Sequence, residues 1–165
     1  MSNPTYTNLG NHAETIQLDY DPTQISYSEL LDIFWQNHQP TSNYGSSQYR
    51  AIVFYHDQEQ RKLAEESKMA LATKLGKEIV TEIAPYQNFT WAEDYHQKYQ
   101  LRNSPLAAEY LQIYPDLTDF VNSSAVARVN GYLAGYGTSE MLAGEIDRLG
   151  LSQAGKDYLQ KSVSR

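Results

Sequence analysis

Cysteine is absent from all 165 residues. Within this chain there is therefore no disulfide framework, thiolate metal site, iron–sulfur cluster or cysteine nucleophile. Basic charge is also scarce. Thirteen Lys and Arg stand against twenty Asp and Glu, giving a formal net charge of −7. Such a balance disfavours nucleic acid or an anionic membrane as partner, since phosphates need Lys/Arg neutralisation. No apolar run approaches the roughly 20 residues needed to span a bilayer. The first twelve residues, MSNPTYTNLGNH, lack the apolar core of a signal peptide. These features point to a cytoplasmic protein. Tyrosine, by contrast, is abundant: fourteen copies supply large packing surfaces with a polar tip, suited to a core margin or a ligand pocket.

The length predicts one domain, or one domain plus a short appendage. From His12 to Tyr20, Glu14, Ile16, Leu18 and Tyr20 share one face by period-2 alternation, which predicts a strand closed by the Asp21-Pro22-Thr23 turn. Ser26 and Glu29 have capping-box spacing, and Ile25 with Leu30 have staple spacing. Leu30, Leu31, Phe34 and Trp35 then form the apolar stripe of a helix ended by His38-Gln39-Pro40. Tyr49 to Tyr55 is a β-branched and aromatic strand. Asp57 with Gln60 opens a second helix that Gly76 stops. Ile79 to Ile83 reads as a third strand, and Thr90 with Glu93 as the cap of a helix from Trp91 to about Leu101.

Residues 104–165 show helical periodicity and little strand signal. Ser104-Pro105 starts a helix carrying Leu106, Tyr110 and Leu111, and Pro115 interrupts it. Ala125, Val129 and Leu133 mark another helix, ended near Gly135. Met141, Leu142, Ile146 and Leu149 mark a third, stopped at Gly150, and Ser152 begins a last one. The expectation is an α+β fold, a mixed sheet layered with helices, over residues 1–103, with a helical extension over 104–165.

Read alone, most polar residues have plain explanations. A glutamate on a strand usually faces solvent, although Glu14 shares its face with Ile16 and Leu18. Tyr6 and Tyr49 read as core-edge tyrosines. His12 and Glu14 are two potential metal ligands without a third. His38 and His96 suit capping or orienting roles. Trp35 with Phe34 suits helix packing, and core packing is the plain reading of Trp91. The glycine-rich stretch Gly131–Gly137 lacks the strand-before, helix-after context of a phosphate loop and reads as a turn.

Nine pieces in order carry a resemblance: N-P-T-Y at 3–6, G-N-H-A-E-T at 10–15, Y-D-P at 20–22, I-S-Y-S-E-L-L-D-I-F-W at 25–35, H-Q-P-T at 38–41, Q-Y-R at 48–50, I-V-F-Y-H at 52–56, E-E-S-K at 65–68 and A-E-D-Y-H-Q-K-Y at 92–99. Over residues 3–103 the chain resembles the A-type peptide-methionine (S)-S-oxide reductases. That resemblance implies thiol-dependent reduction of methionine S-sulfoxide in proteins or as the free amino acid. A thiolate attacks the sulfoxide sulfur, a sulfenic acid forms, methionine leaves, and a second thiol clears the enzyme through a disulfide. No tightly bound cofactor and no metal are implied; thioredoxin or another thiol is the external reductant. Charge develops on the sulfoxide oxygen, which must be protonated or strongly hydrogen-bonded. By motif, Glu14 is the implied proton donor, in an apolar pocket, with Tyr6 and Tyr49 as hydrogen-bond partners.

The family's nucleophile lies in a G-C-F-W motif upstream of N-P-T-Y, whereas this chain begins Met1-Ser2-Asn3-Pro4. The expectation is an N-terminally truncated reductase. The alternatives are a non-catalytic pseudoenzyme or binding protein using the remnant pocket, and a missing piece supplied by another chain.

Overall fold

A polar start signal sets the first helix. In the computed structural model, which describes residues 10, 12–43 and 45–164, Ser26 is extended and its Oγ accepts from Glu29 N–H at 3.2 Å. The Glu29 carboxylate accepts in return from Ser26 N–H at 2.8 Å. This reciprocal box satisfies two donors that a helix start otherwise leaves orphaned. Helix α1, Tyr27–Gln36, follows and buries Leu31 and Trp35. Just beyond its end His38 donates from Nδ1–H to Phe34 O at 2.8 Å.

Strand β1, Ile52–Tyr55, leads into helix α2, Gln58–Leu75, and strand β2, Glu82–Pro85. Asp57 caps α2 by accepting from Gln60 N–H at 2.8 Å, and Gly76 closes it in the left-handed conformation at φ 62°. The glycine is required because a Cβ disfavours that conformation. The strands pair in parallel, with Ile52 opposite Glu82 and Tyr55 opposite Pro85. A parallel pair needs a crossover, and α2 supplies it.

The α+β class is as expected, but the sheet is smaller. Residues 12–20 form no strand. The parallel pair is the whole sheet among the described residues, so the mixture of strand directions does not appear there. Tyr49 and Arg50 precede β1, and β2 begins at Glu82, after most of the expected Ile79–Ile83 run. Ile79 and Thr81 are nonetheless 4% and 1% exposed. Burial there comes from packing, while the ladder begins only where Glu82 N–H reaches Ala51 O at 3.0 Å. Leu31, Trp35, Val53, Ala64 and Ile79 form the core of this unit.

The chain divides into two compact units, Met1–Thr90 and Trp91–Arg165. The division falls ahead of residue 104 because Leu101, fully buried, belongs to the second core. The expected helix from Trp91 to Leu101 is not formed. A 3-10 turn, Asp94–His96, is followed by Lys98 at φ 53°, the one non-glycine residue with positive φ among those described, and then by α3, Tyr99–Arg102. A left-handed residue cannot lie inside a right-handed helix, and Glu93 makes no side-chain cap.

Five further helices follow: α4 Ala107–Ile113, α5 Leu117–Asn122, α6 Ser124–Leu133, α7 Ser139–Glu145 and α8 Gln153–Val163. Asp116, Ser123, Thr138 and Ser152 cap α5, α6, α7 and α8. Tyr110, Phe120, Val126, Val129 and Leu159 are fully buried in their core. Two tyrosine hydroxyls buried in this core are paired, as burial demands. Tyr110 donates to Leu149 O at 2.6 Å, and Tyr132 to Glu145 Oε1 at 2.6 Å. Glu145 also meets Arg128 at 2.7 Å. Across the described residues no helix is long and apolar enough to cross a membrane.

Candidate functional site

The site begins with a serine-rich loop. Small polar side chains there capture nearby backbone donors, a habit that favours turns over strands. Asn43 Oδ1 accepts from Gly45 N–H at 3.1 Å, with Gly45 at φ 70°. Ser46 O accepts from Tyr49 N–H at 3.3 Å, and Ser46 Oγ accepts from Gln48 N–H at 3.3 Å. These local bonds shape the turn that carries Gln48 and Tyr49.

Gln48 grips Glu14 at two points. Its carbonyl accepts from Glu14 N–H at 2.9 Å, and its Nε2 donates to Glu14 Oε1 at 2.7 Å. The residues are 34 positions apart in sequence. The side-chain bond is at the short end of the range for an N–H donor. Two motif pieces, G-N-H-A-E-T and Q-Y-R, are thereby brought together.

Glu14 is exposed, not enclosed by apolar side chains. The expected apolar wall is missing because residues 12–20 do not enter the sheet: Ile16 and Leu18 are 81% and 59% exposed. Period-2 alternation describes one face of a strand, but a strand also needs a partner for its backbone, and here Glu14 finds that partner in a loop. Tyr49 is 57% exposed and adjoins Gln48 in the chain. Tyr6 lies outside the described residues. Gln48 was not singled out by residue chemistry; its signal was its place in Q-Y-R beside Tyr49.

The histidines take positioning roles. Because His38 Nδ1 carries the hydrogen donated to Phe34 O, Nε2 of the neutral ring accepts from the Thr81 hydroxyl at 2.9 Å. Thr81 O accepts from Lys68 Nζ at 2.6 Å, so α1, α2 and the approach to β2 meet at one buried threonine. His56 stacks on Tyr86 with centroids 4.3 Å apart. His96 Nε2 lies 4.0 Å from Glu93. Trp35 packs in the core and donates from Nε1 to Ser67 Oγ at 3.0 Å, whereas Trp91 is 41% exposed rather than core-packed. A small cavity of about 90 Å³ lies beside Arg50, lined also by Ser42, Asn43 and Glu82. No group of three or more His, Asp or Glu among the described residues is arranged to hold a metal ion.

Comparison with known proteins gives this geometry its context. The family model described as peptide methionine sulfoxide reductase matches residues 1–128. A peptide methionine sulfoxide reductase of Drosophila melanogaster is 41% identical over 168 residues, an alignment covering 98% of this chain and 66% of that protein. Peptide methionine sulfoxide reductase MsrA of Sulfolobus acidocaldarius is 41% identical over 132 residues, covering 74% of this chain and 75% of the relative. The Saccharolobus solfataricus protein of the same name is 38% identical over 135 residues, covering 70% and 76%. The Drosophila alignment runs through nearly the whole of the second unit as well as the first. On this evidence the chain belongs to the peptide methionine sulfoxide reductase family.

Proposed function

We propose that this chain provides the oxygen-side half of a methionine S-sulfoxide site. Glu14 presents an acidic proton to the sulfoxide oxygen, with the Tyr49 and Tyr6 hydroxyls as further donors. The observation that carries this reading is the meeting of Glu14 with Gln48, the chain neighbour of Tyr49, inside the stretch matched by the family model. In the family reaction a thiolate attacks sulfur while the oxygen gains a proton. The sulfur–oxygen bond breaks, methionine leaves as the thioether, and the thiol becomes a sulfenic acid. A second thiol converts that acid to a disulfide with loss of water. The chain itself contributes no thiol. Both electrons come from thiols outside this sequence, with thioredoxin as the natural candidate for recycling. The substrates are oxidised proteins or free methionine sulfoxide, in the cytoplasm.

The absence of cysteine favours a second reading, a protein that binds the sulfoxide without turning it over. One experiment separates the two. The 165-residue chain is titrated with the S and R epimers of N-acetyl-methionine sulfoxide methylamide and with the parent thioether, followed by amide NMR shifts. Release of the thioether is then measured with dithiothreitol present. Selective binding of the S epimer, with shifts centred on Glu14 and Tyr49, is expected. Turnover above the rate of dithiothreitol alone selects the reductase, and binding without turnover selects the binder. Equal binding of both epimers, or shifts elsewhere, overturns both.

A further inference from the structure

We infer that Gln48 is a positioning residue that decides which oxygen of Glu14 faces the ligand. This inference rests on the sulfoxide reading of Glu14 given above. An amide NH₂ can only donate, so the carboxyl oxygen facing it must accept. In a neutral carboxylic acid the accepting oxygen is the carbonyl and the other carries the hydrogen. Gln48 Nε2 sits 2.7 Å from Glu14 Oε1. When Glu14 is protonated, its proton is therefore placed on Oε2, the oxygen that does not face the Gln48 amide. From there it is available for donation to the sulfoxide oxygen.

The backbone contact makes this a fixed arrangement. Glu14 N–H is held by the carbonyl of the same Gln48, at 2.9 Å. Both the main chain and the carboxyl of Glu14 are thus referenced to one residue. That residue is itself fixed through Ser46 Oγ and is covalently joined to Tyr49. A contact needed only to tie the segment to the loop is already made by the backbone bond. The side-chain bond freezes two long, rotamer-rich side chains, a loss that a bond at an exposed carboxyl does little to offset. Orientation of the carboxyl is what the second bond adds.

The test uses the 165-residue chain, the S-sulfoxide probe and the thioether as control. E14Q, which cannot supply an acidic proton, is expected to weaken sulfoxide binding while thioether binding stays unchanged. Q48M keeps the backbone carbonyl and the side-chain length but loses the amide. It is expected to weaken sulfoxide binding about fivefold while thioether binding and circular dichroism stay unchanged. In an E14Q background Q48M is expected to cost nothing further, a coupling that a merely structural role would not produce. A Q48M chain that binds sulfoxide as well as wild type, or effects of Q48M and E14Q that simply add, overturns the inference. An E14Q chain that binds sulfoxide as well as wild type overturns the role of Glu14 itself, and that outcome is read without any Gln48 variant.

Discussion

Gly155 lacks a side chain where another residue's carboxylate already sits. A Cβ there would lie 2.7 Å from Glu109 Oε1 and 2.9 Å from Oε2. Those oxygens accept from Ser152 Oγ–H and N–H, both at 2.8 Å, at the cap of α8. Alanine in a helix interior is worth about 1 kcal/mol over glycine, but here it must push Glu109 off the cap. Hydrogen bonds to charged groups are worth about 1.5–3 kcal/mol, so G155A is expected to destabilise. In an E109A background the same change should stabilise, by about 1 kcal/mol. A urea double-mutant cycle reads that change of sign, and additive effects would refute it. A second residue-scale prediction concerns alkaline pH. Burial, reinforced by its bond to Glu145, pushes the Tyr132 hydroxyl up to about 12 from an ordinary 10.0. A group raised in the fold contributes stability that is fully present below its unfolded value and is lost as pH climbs through the folded one. Between pH 10 and 12 the wild type therefore loses stability, and Y132F should lose less over that window. Burial also raises the Tyr110 hydroxyl, so part of the alkaline loss persists in Y132F. Thermal unfolding at stepped pH checks the difference in slope.

At the scale of elements, the helix caps carry the prediction. Ser26 and Glu29 satisfy one another's backbone donors at the start of α1. S26A should cost about 1 kcal/mol, seen as a lower urea midpoint with unchanged slope; no change would mean that α1 stands on packing alone. These caps were also the most legible part of the fold. Ser26, Asp57, Gly76 and Ser152 act as their residue types and spacings imply, because a cap is made by neighbours within a few positions. The strands were less legible. Residues 12–20 alternate correctly and still form none, since a ladder needs a second chain segment that local pattern cannot supply. The Thr90–Glu93 spacing likewise gave no cap. Lys98 in the left-handed region ends any helix there, and nothing in a lysine announces that conformation. For the site, motif identity brought Glu14 and Tyr49 into view. The Gln48 contact was hidden because it spans 34 positions.

For the whole molecule, each unit has its own buried set. One is built on Leu31, Trp35, Val53, Ala64 and Ile79, the other on Leu101, Tyr110, Phe120, Val126 and Leu159 among others. Leu101 joins the later core through packing with residues far along the chain, which no local pattern announces. In both units the partners lie far apart in the chain. Within residues 91–165, Leu101 N–H reaches Asn130 Oδ1 and the Tyr110 hydroxyl reaches Leu149 O. In the first unit, Ile52 pairs with Glu82, thirty positions away, across an 18-residue helix. Bringing them together closes a long loop at an entropic cost, and α2, once coiled at 1.5 Å per residue, takes up most of that loop and lowers the cost. The sheet is thus expected to form after its own crossover. Substitutions in the ladder should accordingly be felt in how fast the unit comes apart, and those in α2 in how fast it assembles.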